Sequence, residues 1–392
     1  MRTISFAFCC ICIWLIGCHT EADLVPGVTV QSVAPGIHYE QYNLPGPVVA
    51  HLVKVDLKDS SAVAKVALAQ DMHQGGRAAT SLLAQQAGAI IAINGDYFAN
   101  VGPSQGFVVI DGEMVVGPAK RTAFGWTKDG KPQIERYILE GTAYVQAQDG
   151  AKYNLFYNRV NMHDFGPGEM GIYTPRMKRT PTSKEPTVQY RFCALEGTEW
   201  KGSTLIGTVK AVSTEPRDIP SDQFVIGTTN GDSREASEWA TQHLTLNSKV
   251  TVHLTTTPPW EHLHGAIGGG PRLVRDGQNV VDAATVDRTM ADEIGVALAR
   301  DGQPRSAVGY TKDQQTLLLC VIEGRVSQSV GMTPAELAEF LTGHEAYQAM
   351  MLDGGGSSTL WVKGRNVVNR LGTRSGAERP VANALCIVPK TK

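Results

Sequence analysis

The stretch Met351-Leu352-Asp353-Gly354-Gly355-Gly356-Ser357-Ser358-Thr359-Leu360-Trp361-Val362 is the most informative part of this chain. An apolar segment leads to a single carboxylate, three glycines and three hydroxyl residues, and the chain then becomes apolar again. Glycine adopts backbone conformations that other residues avoid, so consecutive glycine amides can point into one concavity and bind an anion. The stretch therefore predicts a carboxylate beside an anion cradle, with a glycine-rich hairpin and a solvated Asp as the alternative.

The sequence predicts a helix followed by a buried strand at two places, one immediately before this stretch and one earlier in the chain. Residues 80–87 have a helical pattern with a Thr or Ser as N-cap and Gly88 as the stop, and they are followed by a buried strand that ends at Asn94. Thr333-Pro334-Ala335-Glu336 predicts a second helix start through a capping box, and the strand that follows it ends at Asp353. Each half thus runs helix, buried strand, then a polar residue and glycine.

The overall composition places this chain among globular proteins. It has 392 residues, 36 basic and 38 acidic side chains, 42% hydrophobic residues and 41 glycines. A net charge of −2 gives no support for nucleic-acid binding. Residues from about 134 to 257 are β-like throughout. These features predict an α+β fold of mixed, strand-rich sheets with a few packed helices.

The N-terminus has the pattern of a targeting signal. Arg2 precedes a short apolar core, and the core ends at Leu15-Ile16-Gly17-Cys18. This end resembles a bacterial lipoprotein signal in which Cys18 becomes the lipidated N-terminus, whereas a plain secretory signal is the alternative. We expect residues 1–18 to be the signal and residues 19–28 a tether. The protein would then be lipid-anchored in the cell envelope, at the outer membrane because residue 19 is His rather than Asp.

Three cysteines remain after the signal and Cys18, namely Cys193, Cys320 and Cys386. Cys320 and Cys386 lie in apolar, strand-like runs, which is typical of buried free thiols. A disulfide between them is the alternative. Among these three cysteines no Cys-x-x-Cys spacing indicates a metal site.

Six motifs in order resemble the phosphodiester glycosidase family, and the resemblance covers roughly residues 50–389. The motifs are Asn94-Gly95-Asp96-Tyr97-Phe98, Gly268-Gly269-Gly270-Pro271-Arg272-Leu273-Val274, Pro304-Arg305-Ser306-Ala307-Val308-Gly309, residues 329–338, residues 353–360, and Glu378-Arg379-Pro380-Val381-Ala382-Asn383-Ala384-Leu385. The resemblance implies a single glycosidase-type body over residues 29–392. It also implies a hydrolase that cleaves between a sugar anomeric carbon and a phosphate oxygen, in N-acetylglucosamine-1-phosphodiester-like substrates of surface glycans or polymers.

This chemistry needs groups for the sugar and groups for the phosphate. A phosphate monoester is an acidic leaving group and needs little protonation, whereas charge developing on sugar and phosphate must be stabilised. Carboxylates would activate water or attack the sugar, and the candidates are Asp353, Asp96 and Glu323, the last standing where the family commonly has Asp. Substrate-binding candidates are Asn94, Gly95, Gly269, Gly270, Arg272, Arg305, Gly354, Gly355, Gly356, Ser357, Ser358 and Arg379. Arginine suits phosphate because its planar fork binds two oxygens.

Each of these assignments has a structural alternative. Asp353 could cap its own loop, the arginines could form internal salt bridges, with Arg379 paired to Glu378, and the glycines could serve tight turns. No cofactor is expected, although Ca²⁺ or Mg²⁺ held near Asp353 and Asp96 is an alternative. At the level of function the alternatives are a non-catalytic polysaccharide-binding lipoprotein and a metal-dependent phosphodiesterase that cuts P–O bonds.

Overall fold

The computed structural model describes most of the chain after residue 26. The described ranges are 27–58, 61–71, 76–98, 104–139, 143–155, 160–162, 168–182, 188–197, 200–230, 234–281, 301–365 and 377–390. The predicted signal, Cys18 and nearly all of the predicted tether lie outside them. No helix of the described residues is long and apolar enough to cross a membrane.

The described chain contains three α-helices and 25 strands. The helices are α1 (Thr80–Ala87), α2 (Glu235–His243) and α3 (Pro334–Gly343). The first twelve strands are β1 (Val28–Ala34), β2 (Ile37–Leu44), β3 (Val48–Asp56), β4 (Ala62–Leu68), β5 (Ile91–Asn94), β6 (Val108–Ile110), β7 (Glu113–Val116), β8 (Thr122–Thr127), β9 (Pro132–Arg136), β10 (Ala143–Ala147), β11 (Lys152–Asn154) and β12 (Met170–Tyr173). The others are β13 (Tyr190–Glu196), β14 (Trp200–Lys201), β15 (Thr204–Ser213), β16 (Gln223–Thr229), β17 (Lys249–Leu254), β18 (Leu263–Gly268), β19 (Arg272–Arg275), β20 (Gln278–Asn279), β21 (Arg305–Thr311), β22 (Thr316–Ile322), β23 (Ala346–Met351), β24 (Leu360–Val362) and β25 (Asn383–Pro389).

These strands form four sheets, and every pairing between named strands is antiparallel. The large sheet has the order β1-β2-β3-β22-β21-β23-β19-β20, and the small sheet has the order β24-β5-β25-β4. A five-stranded sheet runs β7-β6-β18-β8-β9. The middle sheet, of residues 143–254, runs β11-β10-β17-β15-β13-β16-β12, with β14 paired to β15. The fold is thus strand-rich, and the α+β expectation holds only in this coarse sense.

The sheets share two large cores. One core joins the large, small and five-stranded sheets, and the other joins the five-stranded and middle sheets. Adjacent residues of β6 show the division, because Val108 lies in the first core and Val109 in the second. Helix α3 covers the other face of the large sheet, and α1 covers the other face of the small sheet.

The two helix–strand units of the sequence are present, with one difference at a helix start. Thr333 caps α3 through the predicted capping box with Glu336, and α1 ends at Gly88 with a left-handed φ of 67°. The N-cap of α1, however, is Ala79, which makes no side-chain cap. The prediction of a Thr or Ser cap was wrong because Glu378, distant in sequence, accepts a hydrogen bond from the Ser81 amide at 2.9 Å.

The three described cysteines are buried free thiols. Cys320 lies on β22 in the large sheet and Cys386 lies on β25 in the small sheet. The prediction of unpaired, buried strand residues is therefore confirmed, and the alternative disulfide is not formed.

Candidate active site

The loop that follows β23 meets the loop that follows β5, so the ends of a large-sheet strand and a small-sheet strand are joined. The Asp353 amide donates to Gly95 O at 2.9 Å, and Asn94 Nδ2 donates to Asp353 O at 2.6 Å. Asn94 Oδ1 accepts from Ser306 Oγ at 2.6 Å and from the Thr359 amide at 3.0 Å. Asn94 is fully buried, so its side chain organises the loop that carries Asp353.

Gly95 allows this close approach of the two sheets. A Cβ at position 95 would lie 2.2 Å from Asn383 Oδ1 and 2.4 Å from Ile267 Cδ1. Asn383, the first residue of β25, also accepts from the Asp96 amide at 2.8 Å. Residues of the small sheet and of the five-stranded sheet thus contact the motif Asn94-Gly95-Asp96. Asp96 lies next to the five-stranded sheet.

Asp96 is a fully buried carboxylate with one unpartnered oxygen. Its Oδ2 accepts from Ser104 Oγ and from the Gly106 amide, whereas Oδ1 has no hydrogen-bond partner among the described residues. Burial raises the pKa of Asp96 to about 6, against the lowering effects of Ser104 and the Arg121 charge. Asp96 can therefore change its protonation state near neutral pH.

Asp353 has a similar electrostatic environment, although it is partly exposed. Burial raises the pKa of Asp353 to about 6, while the Ser357 side chain and the Arg379 charge oppose this shift. The negative charge of Asp96 raises the pKa of Asp353 further. The charge of Asp96 therefore contributes to the titration of Asp353, as a smaller effect than burial.

The glycine loop is a tight turn rather than an open cradle of amides. Residues Gly355–Ser357 form a short 3₁₀ helix. The Gly355 amide donates to Pro304 O at 2.8 Å, the Ser357 amide to Gly354 O at 3.1 Å, and the Ser358 amide to Gly355 O at 3.2 Å. Ser357 and Ser358 are fully buried. Of the glycine amides predicted to converge on an anion, that of Gly355 is used by the turn, as are the amides of Ser357 and Ser358.

Two arginines lie against the glycine loop instead. Arg379 Nη1 donates to Ser357 Oγ at 3.3 Å, and its guanidinium lies 5.1 Å from the centre of the Phe98 ring. Glu378, its alternative ion-pair partner, binds α1. Arg325 is exposed, and a Cβ at Gly355, whose φ is +59°, would lie 3.0 Å from its Nη2. The sequence analysis did not identify Arg325. The feature that could have indicated it is its position two residues after Glu323, just beyond the end of β22.

A third arginine, Arg121, was also missed by sequence reasoning. Its guanidinium lies 5.0 Å from the centre of the Tyr97 ring, and its Nη1 is buried without a hydrogen-bond partner in the described part of the chain. The Tyr97 hydroxyl donates to Gly270 O at 2.9 Å. Arg121 precedes β8, so the five-stranded sheet brings a positive charge to Asp96 that no local motif indicates.

The motifs identified Arg305 and Arg272 as phosphate-binding candidates. In the structure their guanidinium groups donate hydrogen bonds to other groups of the protein. Arg305 is 2% exposed and donates to Met332 O at 2.8 Å and Asp301 O at 2.7 Å. Arg272 donates to Gln348 Oε1 at 2.6 Å and to Ile134 O, and it pairs with Glu135 at 3.2 Å. Both guanidinium groups therefore stabilise the fold, in agreement with their structural alternative.

Glu323 and the second glycine loop also have structural partners. Glu323 Oε1 pairs with His51 Nε2 at 2.8 Å, and His51 Nδ1 lies 2.8 Å from the Tyr39 hydroxyl. The Gly270 amide donates to Met351 O at 2.8 Å, and a Cβ at Gly269 would lie 2.5 Å from that oxygen. The glycines thus allow β18, β19 and β23 to approach. In the described ranges, no group of three or more His, Cys, Asp or Glu side chains is placed to hold a metal ion.

Comparison with solved structures shows the fold. A hypothetical protein from Synechocystis gives a TM-score of 0.73 at 22% identity, with 93% of this chain and 64% of that chain covered. A Burkholderia pseudomallei K96243 protein, named as an exported protein, gives 0.71 at 15% identity, with 92% and 96% covered. The catalytic domain of zebrafish N-acetylglucosamine-1-phosphodiester alpha-N-acetylglucosaminidase, auto-inhibited by its pro-peptide, gives 0.48 at 15% identity, with 94% and 85% covered, too low a score for argument.

Sequence comparison adds one relative and a family. The SPbeta prophage-derived protein YomE of Bacillus subtilis (strain 168) is 34% identical over 84 residues, which span 21% of this chain and only 12% of that protein. The sequence profile of the phosphodiester glycosidase family matches residues 205–388, a range that includes Arg325, Asp353 and Arg379. Residues 205–388 of this chain therefore match the phosphodiester glycosidase family, as the sequence motifs predict.

Proposed function

We propose that this protein is a hydrolase that cleaves sugar-1-phosphodiesters at the bond between the anomeric carbon and the phosphate oxygen. The observation that carries the proposal is that Asp353 and Asp96 lie on loops joined by a hydrogen bond, from the Asp353 amide to the carbonyl of Gly95 at 2.9 Å. Their pKa values are both raised to about 6, and they come from strand ends of different sheets. Perturbed, coupled carboxylates are a frequent feature of catalytic sites. The family match of residues 205–388 supports the same chemistry.

In this proposal Asp353 acts on the sugar side. It is the more exposed of the two carboxylates, and its backbone is held by Asn94 and Gly95. As a carboxylate it would activate water or attack the anomeric carbon, and it would stabilise the positive charge that develops on the sugar. Burial is the main cause of the raised pKa of Asp353, and the negative charge of the fully buried Asp96 would add to it.

The phosphate side is proposed to be formed by Arg379, Arg325 and Arg121 rather than by Arg272 and Arg305. Arg325 and Arg379 both lie against the glycine loop, and Arg121 has a buried Nη1 with no hydrogen-bond partner among the residues that the structure describes. A dianionic leaving phosphate would be stabilised by such guanidinium groups as its charge grows. The departing monoester is already a good leaving group, so no protonated acid is required at that oxygen.

The test is release of free sugar from a GlcNAc-α-1-phosphodiester model compound by purified protein that lacks residues 1–18. We expect turnover that Asp353→Asn abolishes and that the control Asp313→Asn retains, because Asp313 is an exposed turn residue bound to Thr311. Saturable binding without any turnover would instead support the polysaccharide-binding alternative. Turnover that a chelator abolishes and added Mg²⁺ or Ca²⁺ restores would support the metal-dependent phosphodiesterase.

The place of action is proposed to be the bacterial cell envelope, with the lipid at Cys18 as the membrane anchor and residues 29–392 as the glycosidase body. The pattern of residues 1–18 supports this, and so does the name of the exported Burkholderia protein of similar fold. We expect that cells fed a labelled fatty acid incorporate the label into the wild-type protein but not into Cys18→Ser. Equal labelling of both would contradict lipidation at Cys18.

A further inference from the structure

A cavity of about 280 Å³ lies apart from Asp353 and Asp96, at the junction of the middle sheet with two other sheets. The middle sheet contributes Trp200, Leu205 and Phe224, and the five-stranded sheet contributes Glu113. Asp71, which follows β4, and Arg176 complete the lining, and Arg176 pairs with both Asp71 and Glu113. None of these residues belongs to the candidate active site, so the cavity is a separate feature of the fold.

One side of the cavity is apolar and includes a Trp ring. Leu205 and Phe224 are fully buried, and Trp200 is half-buried. The Trp200 ring packs edge-on against Trp260, with ring centres 5.7 Å apart and an interplanar angle of 86°. This contact holds the indole in place, and a rigid aromatic surface is a suitable platform for the C–H face of a sugar ring.

The other side carries polar groups whose positions are held by ion pairs. Arg176 Nη1 pairs with Asp71 Oδ1 at 3.0 Å, and Arg176 Nε pairs with Glu113 Oε2 at 3.3 Å. Two carboxylates and one guanidinium sum to one negative charge. Such a wall repels phosphate but offers several acceptors and donors to neutral hydroxyl groups.

We propose that this cavity binds a neutral sugar unit of a glycan, at a site separate from the reacting bond. A pyranose is a disc with an apolar face and a polar rim, and it complements a cavity with one Trp-bearing side and one hydrogen-bonding side. The volume lies near the lower end of the range of small-molecule sites, about 300 Å³, and fits one ring. The binding site would be independent of turnover at Asp353.

The experiment is titration calorimetry on the Asp353→Asn protein, with the methyl glycosides of glucose, mannose and N-acetylglucosamine and with glucose 1-phosphate as probes. We expect saturable binding of at least one uncharged glycoside that the cavity variants weaken, whereas any binding of glucose 1-phosphate at the proposed phosphate site should be unchanged in those variants. Trp200→Ala and Arg176→Gln should each weaken the glycoside binding by roughly tenfold or more, the scale of a central contact in a binding site.

The matched control is Asp218→Asn. Asp218 has the same exposed side-chain fraction as Asp71, 78%, and pairs with Arg179 at 2.9 Å, so its variant removes a surface ion pair of similar length outside the cavity. The affinity of the Asp218→Asn variant for the glycosides should stay within about twofold of that of the protein without this substitution, because a surface ion pair contributes little. If circular dichroism shows that the Trp200→Ala protein is unfolded, the affinity of the Arg176→Gln protein tests the proposal.

Three results would overturn the proposal. They are the absence of saturable binding for every uncharged glycoside, glycoside binding that is unchanged by the cavity variants, and binding of glucose 1-phosphate that the cavity variants weaken more than they weaken binding of the glycosides. The protein with Asp353 intact must also bind the glycosides equally. If the protein proved to have no hydrolase activity at Asp353, these binding results would be unaffected. The two proposals are therefore tested separately.

Discussion

At the scale of single residues, the account depends on Asp353, whose carboxylate is proposed to act on the sugar. Asp353→Asn should lower kcat by at least about 100-fold, since it removes the base or nucleophile while preserving the shape of the side chain. The measurement is turnover of the GlcNAc-α-1-phosphodiester model at saturating substrate. Activity equal to wild type would remove Asp353 from the mechanism.

The same substitution should stabilise the folded protein above neutral pH. The folded pKa of Asp353, about 6, exceeds the ordinary value of 3.8, so the folded state binds more protons between these pH values. The contribution of Asp353 to the free energy of unfolding therefore falls as pH rises through that window. At pH 8 Asp353→Asn should raise the free energy of unfolding by about 1–3 kcal/mol. Urea unfolding at pH 8 measures this, and destabilisation there would contradict the raised pKa.

The coupling of the two carboxylates predicts the pH dependence of the reaction. If ionised Asp353 is required, kcat/KM should rise with pH through a midpoint near pH 6, the folded pKa of Asp353. Asp96→Asn removes the negative charge that raises this pKa, so the midpoint should move to lower pH. A midpoint that stays in place or moves to higher pH in Asp96→Asn would show that the carboxylates are not coupled.

The carboxylates were predictable from sequence, whereas the arginines proposed for the phosphate side were predicted only in part. Asp353 and Asp96 each lie two positions beyond the last residue of a buried strand, and that local pattern is visible in the chain. Arg121 and Arg325 occur in no distinctive motif and reach the site only through the meeting of sheets. Arg305 lies in a recognisable motif, yet its burial against backbone carbonyls depends on Asp301 and Met332 being nearby in the fold.

At the scale of elements, the β5 and β23 ends form one unit through Asn94. Asn94→Ala would leave the Thr359 amide, Ser306 Oγ and Asp353 O without their side-chain partner in a fully buried place. We expect a loss of about 2–4 kcal/mol in the free energy of unfolding, because each buried unpaired group costs about 1–3 kcal/mol. kcat should fall more than KM rises, since the loop that carries Asp353 loses its anchor.

The matched control for Asn94→Ala is Asn279→Ala. Asn279 is exposed on β20, and its Nδ2 donates to Ala335 O at 3.1 Å. Its substitution should change stability by less than about 1 kcal/mol and leave kcat unaltered. An Asn94→Ala protein with wild-type stability and kcat would contradict the assigned role of Asn94 in the loop.

Local sequence predicted the helix–strand units well but not every cap. The capping box of α3 is complete within Thr333 to Glu336, so it could be identified from four adjacent residues. The start of α1 depends on Glu378, which lies 297 residues from its hydrogen-bond partner Ser81. The glycine loop was misjudged in its detail because Pro304 O, from the segment before β21, takes the Gly355 amide.

At the scale of the whole molecule, strand content was predictable but sheet order was not. β3 pairs with β22 and β5 pairs with β25, so partners are separated by more than 250 residues and no periodicity in either strand specifies the other. These pairings build the large and the small sheet, and the shared core and the hydrogen bond between the Asp353 amide and Gly95 O bring the sheets together near Asp353 and Asp96. The candidate site is therefore a product of the complete assembly, whereas its two carboxylates can be identified locally.

The central claim, cleavage between the anomeric carbon and the phosphate oxygen, is tested most directly by the fate of oxygen from water. The GlcNAc-α-1-phosphodiester model is hydrolysed in water enriched in ¹⁸O, and both products are analysed by mass spectrometry. The account predicts ¹⁸O in the released sugar and none in the phosphate monoester. Label in the phosphate, with none in the sugar, would show P–O cleavage and contradict the account.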